Sequence, residues 1–301
     1  MGTSIRERMH AHHHDLGGGF MIRRVLPSSS RHAVGPFVFM DHFGPVTLPA
    51  DRPLDVRPHP HIGLATVTYL WEGRIEHRDS LGNTQVIEAG AVNWMTAGRG
   101  VVHSERTAAA DRDREQRLHG LQLWVALPLE HECDAASFEH TDRAALPELG
   151  VGDATLRVVA GRAYGAHSPV STIGELFYVD ARLPQGGCLR VPDEHVQRSA
   201  YVIDGDLRAG DEAVRAGELT VFEPGASVEL TAARDTHVVL LGGAPLDAPR
   251  YLWWNYVASS GQLLEDARNA WREQRYPMVE GDPEFIPLPD DGRAALMLEA
   301  D

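Results

Sequence analysis

Two short residue pairs constrain this chain more than any other feature: His59-Pro60-His61 and His103-Ser104-Glu105. Successive side chains of a β-strand point to opposite faces, so residues two apart project side by side from one face. Each pair therefore reads as two donors aimed in one direction. The residues between the pairs read as strands and turns, which can return the second pair to the first across a β-barrel. Three imidazoles and one carboxylate would then converge.

Neutral imidazole and carboxylate together suit first-row divalent metals, and four protein ligands leave open positions for water, oxygen or substrate. In a chain with 16 histidines, a lone His-x-His could equally be a hydrogen-bonded turn. Two pairs at matching spacing in one β-rich stretch favour a metal. A structural zinc would draw thiolates and keep no open position, whereas Cys133 and Cys188 both lie outside the motif.

The surrounding sequence supports the strand reading. Phe37-Val38-Phe39-Met40 lies between Gly35-Pro36 and Gly44-Pro45, and Leu64-Ala65-Thr66-Val67-Thr68-Tyr69-Leu70-Trp71 is β-branched and aromatic. Residues 74–79 alternate and run into Ser80-Leu81-Gly82-Asn83, a hairpin turn. His77 stands there between Glu76 and Arg78 and reads as exposed. Gly98-Arg99-Gly100 makes the tight turn that delivers His103. Residues 118–128 alternate, with Leu121, Leu123 and Val125 on one side and Gln122, Trp124 and Ala126 on the other. His119 reads as a structural histidine or as a donor orienting a ligand.

Pro58-His59-Pro60-His61-Ile62-Gly63, followed by Thr66-Val67-Thr68-Tyr69, Gly73, residues 90–98 and His103-Ser104-Glu105, resembles the pirin family, two-domain members of the cupin superfamily. The likeness runs from about residue 25 to residue 289. The usual cupin glutamate follows the first His-x-His closely. Here residues 64–68 hold no acid and the glutamate follows the later histidine, as in pirins. The resemblance implies an all-β chain of two cupin jelly-roll barrels in tandem. It also implies one mononuclear metal held by His59, His61, His103 and Glu105. Iron(II) is the first expectation, because pirins resemble other iron cupins; copper, nickel, zinc and manganese are the alternatives, and affinity alone favours copper, nickel or zinc over iron.

Two activities from different classes attach to this resemblance. Bacterial pirins are associated with quercetin 2,3-dioxygenase activity, which opens a flavonol ring with O2 and releases carbon monoxide. Animal pirin is associated with binding transcription factors as an iron-dependent coregulator, a redox-sensing interaction role without turnover. The motif does not separate them. A formal net charge of -15 argues against a basic DNA-docking face and leans toward the enzyme. The expected partners are a flavonol-like small molecule and O2, with a protein partner in the second reading and neither nucleic acid nor membrane in either. Glu105 is then the candidate catalytic base for the flavonol hydroxyl.

The 301 residues suffice for two cores. Residues 129–150 are charged and loop-like, which places a boundary between a metal-binding barrel at 1–138 and a degenerate barrel at 139–301 carrying a terminal helix and tail. The second half repeats the first in weakened form: Gly217 and Gly225 match Gly90 and Gly98, which puts Leu230 and Ala232 in the places of His103 and Glu105. Neither can bind a metal. His195 is the nearest relic of the first pair and reads as a hydrogen-bonding histidine. Ser259 or Ser260 can cap a helix through Leu263, Leu264, Ala267, Ala270 and Trp271, with Pro277 ending it. Residues 285–289 read as an extended segment crossing the surface.

No apolar run of the roughly 18 residues a membrane helix needs is present, and the N-terminus lacks a signal core, so a cytoplasmic location is expected. Two cysteines form no disulfide framework and are expected as free buried thiols. His10, His12, His13 and His14 precede the flexible run Gly17-Gly18-Gly19 and are expected to be loosely ordered, without a metal role.

Overall fold

Strand-forming residues leave little room for helix, and the computed structural model, which describes residues 4–15, 20–290 and 292–300, is built almost wholly of antiparallel strands. Gly17 to Gly19 lie outside the described residues. Two compact units form, but neither is a continuous stretch. One comprises Met1–His13, Arg23–Phe39 and Ala144–Pro245; the other comprises His14–Ile22, Met40–Arg143 and Leu246–Asp301.

This grouping differs from a single cut at 138/139, and the reason lies in edges and apolar faces. Ile5–His10 pairs antiparallel with Glu218–Phe222, covering an edge that residues 144–245 alone would expose. The C-terminal segment packs on the barrel of residues 40–143: Leu264 and Ala267 join Ile62, Trp253 and Tyr256, while Trp271 and Val279 cover Val102. A helix goes where its apolar stripe can be buried, whatever its place in the sequence.

Ser260 caps that helix, Gly261–Arg272, by accepting from Leu263 N at 3.3 Å. Ser259 instead donates its backbone N–H (2.9 Å) and its hydroxyl to the buried Glu132 carboxylate. The helix stops before Pro277, because Gln274 turns left-handed (φ 53°) and Arg275 N bonds back to Ala270 O.

In the unit of residues 40–143, a four-stranded sheet orders Asp55–His61, Val101–Arg106, Arg74–Asp79 and Thr84–Glu88. A larger sheet includes Val92–Thr96, Leu64–Glu72 and Gln116–Ala126, with Thr68 opposite Gln122. Gly63 enters Leu64–Glu72 at φ +66°, and a Cβ there would lie 2.0 Å from Val257 O. Gly63→Ala is therefore expected to lower stability by about 2 kcal/mol or more, seen as a lower urea midpoint.

The other unit has the same plan. Its small sheet orders Cys188–Arg190, Glu229–Ala232, Asp206–Ala209 and Glu212–Arg215, the same first, fourth, second, third sequence of strands. Where its small sheet faces inward it is apolar, with Leu189, Leu207, Ala209, Leu230 and Ala232 in one buried cluster.

Candidate metal centre

Asp55–His61 is an edge strand, which is what allows Pro58 and Pro60 to sit in it. Its outer side is covered by the tail, where Ile286 N donates to Pro58 O at 2.8 Å. Alternation turns His59 and His61 inward together. Val101–Arg106 pairs with this strand and sets His103 opposite His59, with a register shift before Glu105. The three buried imidazoles meet with centroids 4.5 to 5.0 Å apart.

The hydrogen bonds of these rings decide which nitrogen faces inward. His59 Nδ1 donates to Arg57 O at 2.9 Å and His61 Nδ1 to Asn255 O at 3.0 Å. A carbonyl can only accept, so both Nδ1 atoms carry the hydrogen and both Nε2 atoms present lone pairs. His61 Nε2 and His103 Nε2 face each other at 3.1 Å, and one nitrogen from each of the three rings lies within 4.8 Å of the others. Lone pairs converging this closely are stabilised by a shared cation. The donor set fits a divalent metal.

Burial pushes His59 down to about 4, and pushes His61 and His103 well below the ordinary imidazole range, with the neighbouring rings adding to the effect. Neutral rings are what metal ligation requires. For the metal-free protein the sign follows directly. Between pH 6.5 and about 4 the unfolded chain takes up protons that folded His59 refuses. Stability should therefore fall as pH drops through this window and level off below it, by on the order of 3 kcal/mol from His59. Urea midpoints of metal-stripped protein across a pH series measure it.

Glu105 stands apart from the three-ring group. Its carboxylate clusters instead with His77 and His103, one ligand atom from each within 4.8 Å. The residue is half-buried, but its carboxyl end is enclosed, and burial raises its pKa against the opposing pull of His77 and the Thr68 hydroxyl. Thr68 Oγ1 donates to Glu105 Oε1 at 2.9 Å and lies 2.9 Å from the Gln122 side-chain amide. A hydroxyl has one hydrogen, so Thr68 donates to only one of these two groups at a time.

His77 is buried rather than exposed, at 2%. Arg74–Asp79 lies inside the small sheet, so Ile75, His77 and Asp79 turn inward while Glu76 and Arg78 flank them. The alternating signal was present: His77 shares a face with apolar Ile75. Its ring stacks on Phe138 at 4.4 Å, its Nε2 lies 3.1 Å from Asp79 Oδ2, and its Nδ1 lies 3.4 Å from His103 Nδ1. Asn255, which anchors His61, carries no sequence signal because it lies 194 residues away.

Other histidines fall elsewhere. His119 Nε2 meets His42 Nε2 at 2.8 Å, with Trp71 edge-on to both rings. His195 stacks on Phe177 and bonds to Arg162 O, the hydrogen-bonding role expected of it. The place of His59 in the second barrel is taken by Leu189, which pairs with Leu230, and not by His195. His12–Asp15 form an exposed strand, and Cys133 is exposed and Cys188 half-buried, so neither thiol is sealed in a core.

Two cupin barrels, the first with converging imidazoles and the second with Leu189 and Leu230 in the places of His59 and His103, define the class of this protein. The family model for Pirin matches residues 19–125, and that for the pirin C-terminal cupin domain matches residues 178–277. A pirin-like protein of Caulobacter vibrioides is 43% identical over 277 residues, covering 91% of this chain and 96% of that one. A Pseudomonas aeruginosa protein provisionally named a quercetin 2,3-dioxygenase is 36% identical, covering 89% of this chain and 84% of that one. The crystal structure of quercetin 2,3-dioxygenase from Acinetobacter baumannii superposes with a TM-score of 0.87 at 33% identity, over 96% of this chain and 97% of that one. This chain belongs to the pirin family. Among the described residues no helix is long and apolar enough to cross a membrane.

Proposed function

We propose that this protein is a metal-dependent dioxygenase of the quercetin 2,3-dioxygenase type, with His59, His61, His103 and Glu105 as metal ligands and iron(II) as the first metal. The observation that carries the reading is a cluster of neutral imidazoles with Nε2 atoms converging, beside an enclosed carboxylate of raised pKa. A metal bound there would supply Lewis acidity and an accessible redox couple for O2. Glu105 takes the 3-hydroxyl proton of the flavonol, and its raised pKa makes it the stronger base for that step. Thr68 holds the carboxylate in place through its hydroxyl. One flavonol and one O2 give one ring-opened ester and one carbon monoxide.

Metal analysis of protein made under iron-replete conditions, followed by oxygen uptake and carbon monoxide release with quercetin, tests the proposal. Turnover by the iron-loaded protein supports it. No turnover with iron, copper or nickel loaded would withdraw it in favour of a coregulator role.

A further inference from the structure

His59 and His61 each hand their Nδ1 hydrogen to a backbone carbonyl, but His103 has no such carbonyl and points Nδ1 at another imidazole, that of His77. Which of the two nitrogens carries the hydrogen depends on the far side of His77. There, Nε2 lies 3.1 Å from Asp79 Oδ2, and a carboxylate accepts. Asp79 is itself held: its Oδ1 receives Leu81 N at 2.9 Å and Asn83 N at 3.1 Å, and the Asn83 amide bonds to both of its oxygens. Every other bond to this carboxylate comes from a donor, so the His77 bond completes an acceptor-only role.

We propose that Asp79 and His77 form a relay that fixes the tautomer of His103: Asp79 accepts from His77 Nε2–H, His77 Nδ1 accepts from His103 Nδ1–H, and His103 Nε2 is left as a lone pair facing the metal position. The opposite arrangement places a hydrogen on His103 Nε2, where it would donate to the His61 Nε2 lone pair 3.1 Å away and withdraw both nitrogens from a metal. The inference rests on His103 being a metal ligand, and it assigns His77 as a positioning residue outside the ligand set. Metal-bound histidines generally pass their second N–H to an acceptor that fixes the ring and raises its basicity. Here that acceptor is an imidazole, backed by a carboxylate.

The second barrel supplies an internal comparison. In the first, His103 pairs with Asp79 and Glu105 with His77. In the second, the matching pairs are Leu230 with Ala209 and Ala232 with Leu207, all buried in hydrocarbon. The relay and the ligands are thus missing together.

Long-range 1H–15N NMR on 15N-histidine-labelled protein, metal-free and zinc-loaded, reads the tautomers directly. His77 is expected with its hydrogen on Nε2, and its Nδ1 should stay uncoordinated on zinc loading. A hydrogen on His77 Nδ1, or a zinc bond to that nitrogen, would overturn the relay. His77→Phe keeps the stacking on Phe138 but has no acceptor, and should raise the zinc Kd roughly 10- to 100-fold. His77→Asn places an oxygen where Nδ1 stood and should recover part of that loss. Phe and Asn variants equal to the parent in zinc affinity would count against the proposal, as would an Asn variant no better than Phe. A parent with the expected tautomers that takes up no zinc would remove the metal centre itself, a failure distinct from that of the relay.

Discussion

His103→Ala is expected to leave a folded protein that retains almost no metal after dialysis. The loss should exceed the roughly 10- to 100-fold weakening typical of removing an outer partner, because His103 is the hub of the site. It faces His61 at 3.1 Å through Nε2, touches His77 at 3.4 Å through Nδ1, and belongs to both clusters of potential ligands. Its removal leaves His59 and His61 as an isolated pair and Glu105 with only the His77 ring beside it. Elemental analysis of dialysed protein, with a thermal melt as the folding control, gives the answer. Full metal occupancy in the variant would show that the metal lies elsewhere.

Glu105→Gln should separate binding from turnover. The amide keeps the shape of the side chain and an oxygen that can accept from the Thr68 hydroxyl, so much of the metal should remain. What disappears is a base whose pKa burial has raised. Flavonol oxidation should fall roughly 10²- to 10⁴-fold, the range associated with losing a positioned general base. Oxygen uptake normalised to bound metal measures the effect. Undiminished turnover in the metal-loaded variant would exclude the base role, leaving Glu105 a ligand alone.

How much of this centre could be read along the chain depends on the range of each contact. The two pairs at i, i+2 were legible because strand alternation is local, and so were Leu230 and Ala232, where no ligand is possible. The charged neighbours Glu76 and Arg78 make His77 look exposed, but they only flank a residue whose face is set by the strands on either side. The helix was legible as a helix, but its end at Gln274 depends on one left-handed residue and not on Pro277. Chain order assigns it to the second barrel, whereas it packs in the unit of residues 40–143.

Along the chain one can read the alternation that aims His59, His61, His103 and Glu105 in pairs, the Leu230 and Ala232 that stand in for the second pair, and the family likeness these carry. Periodicity and residue type act between near neighbours, and they survive in one dimension. The packing of residues 246–301 with residues 40–143, the bond from His61 to Asn255 O and the place of His77 between Asp79 and His103 come from the folded chain alone. Those outcomes depend on which strands become neighbours and which apolar faces need cover. A sheet settles both at once, through pairings between residues far apart in the chain.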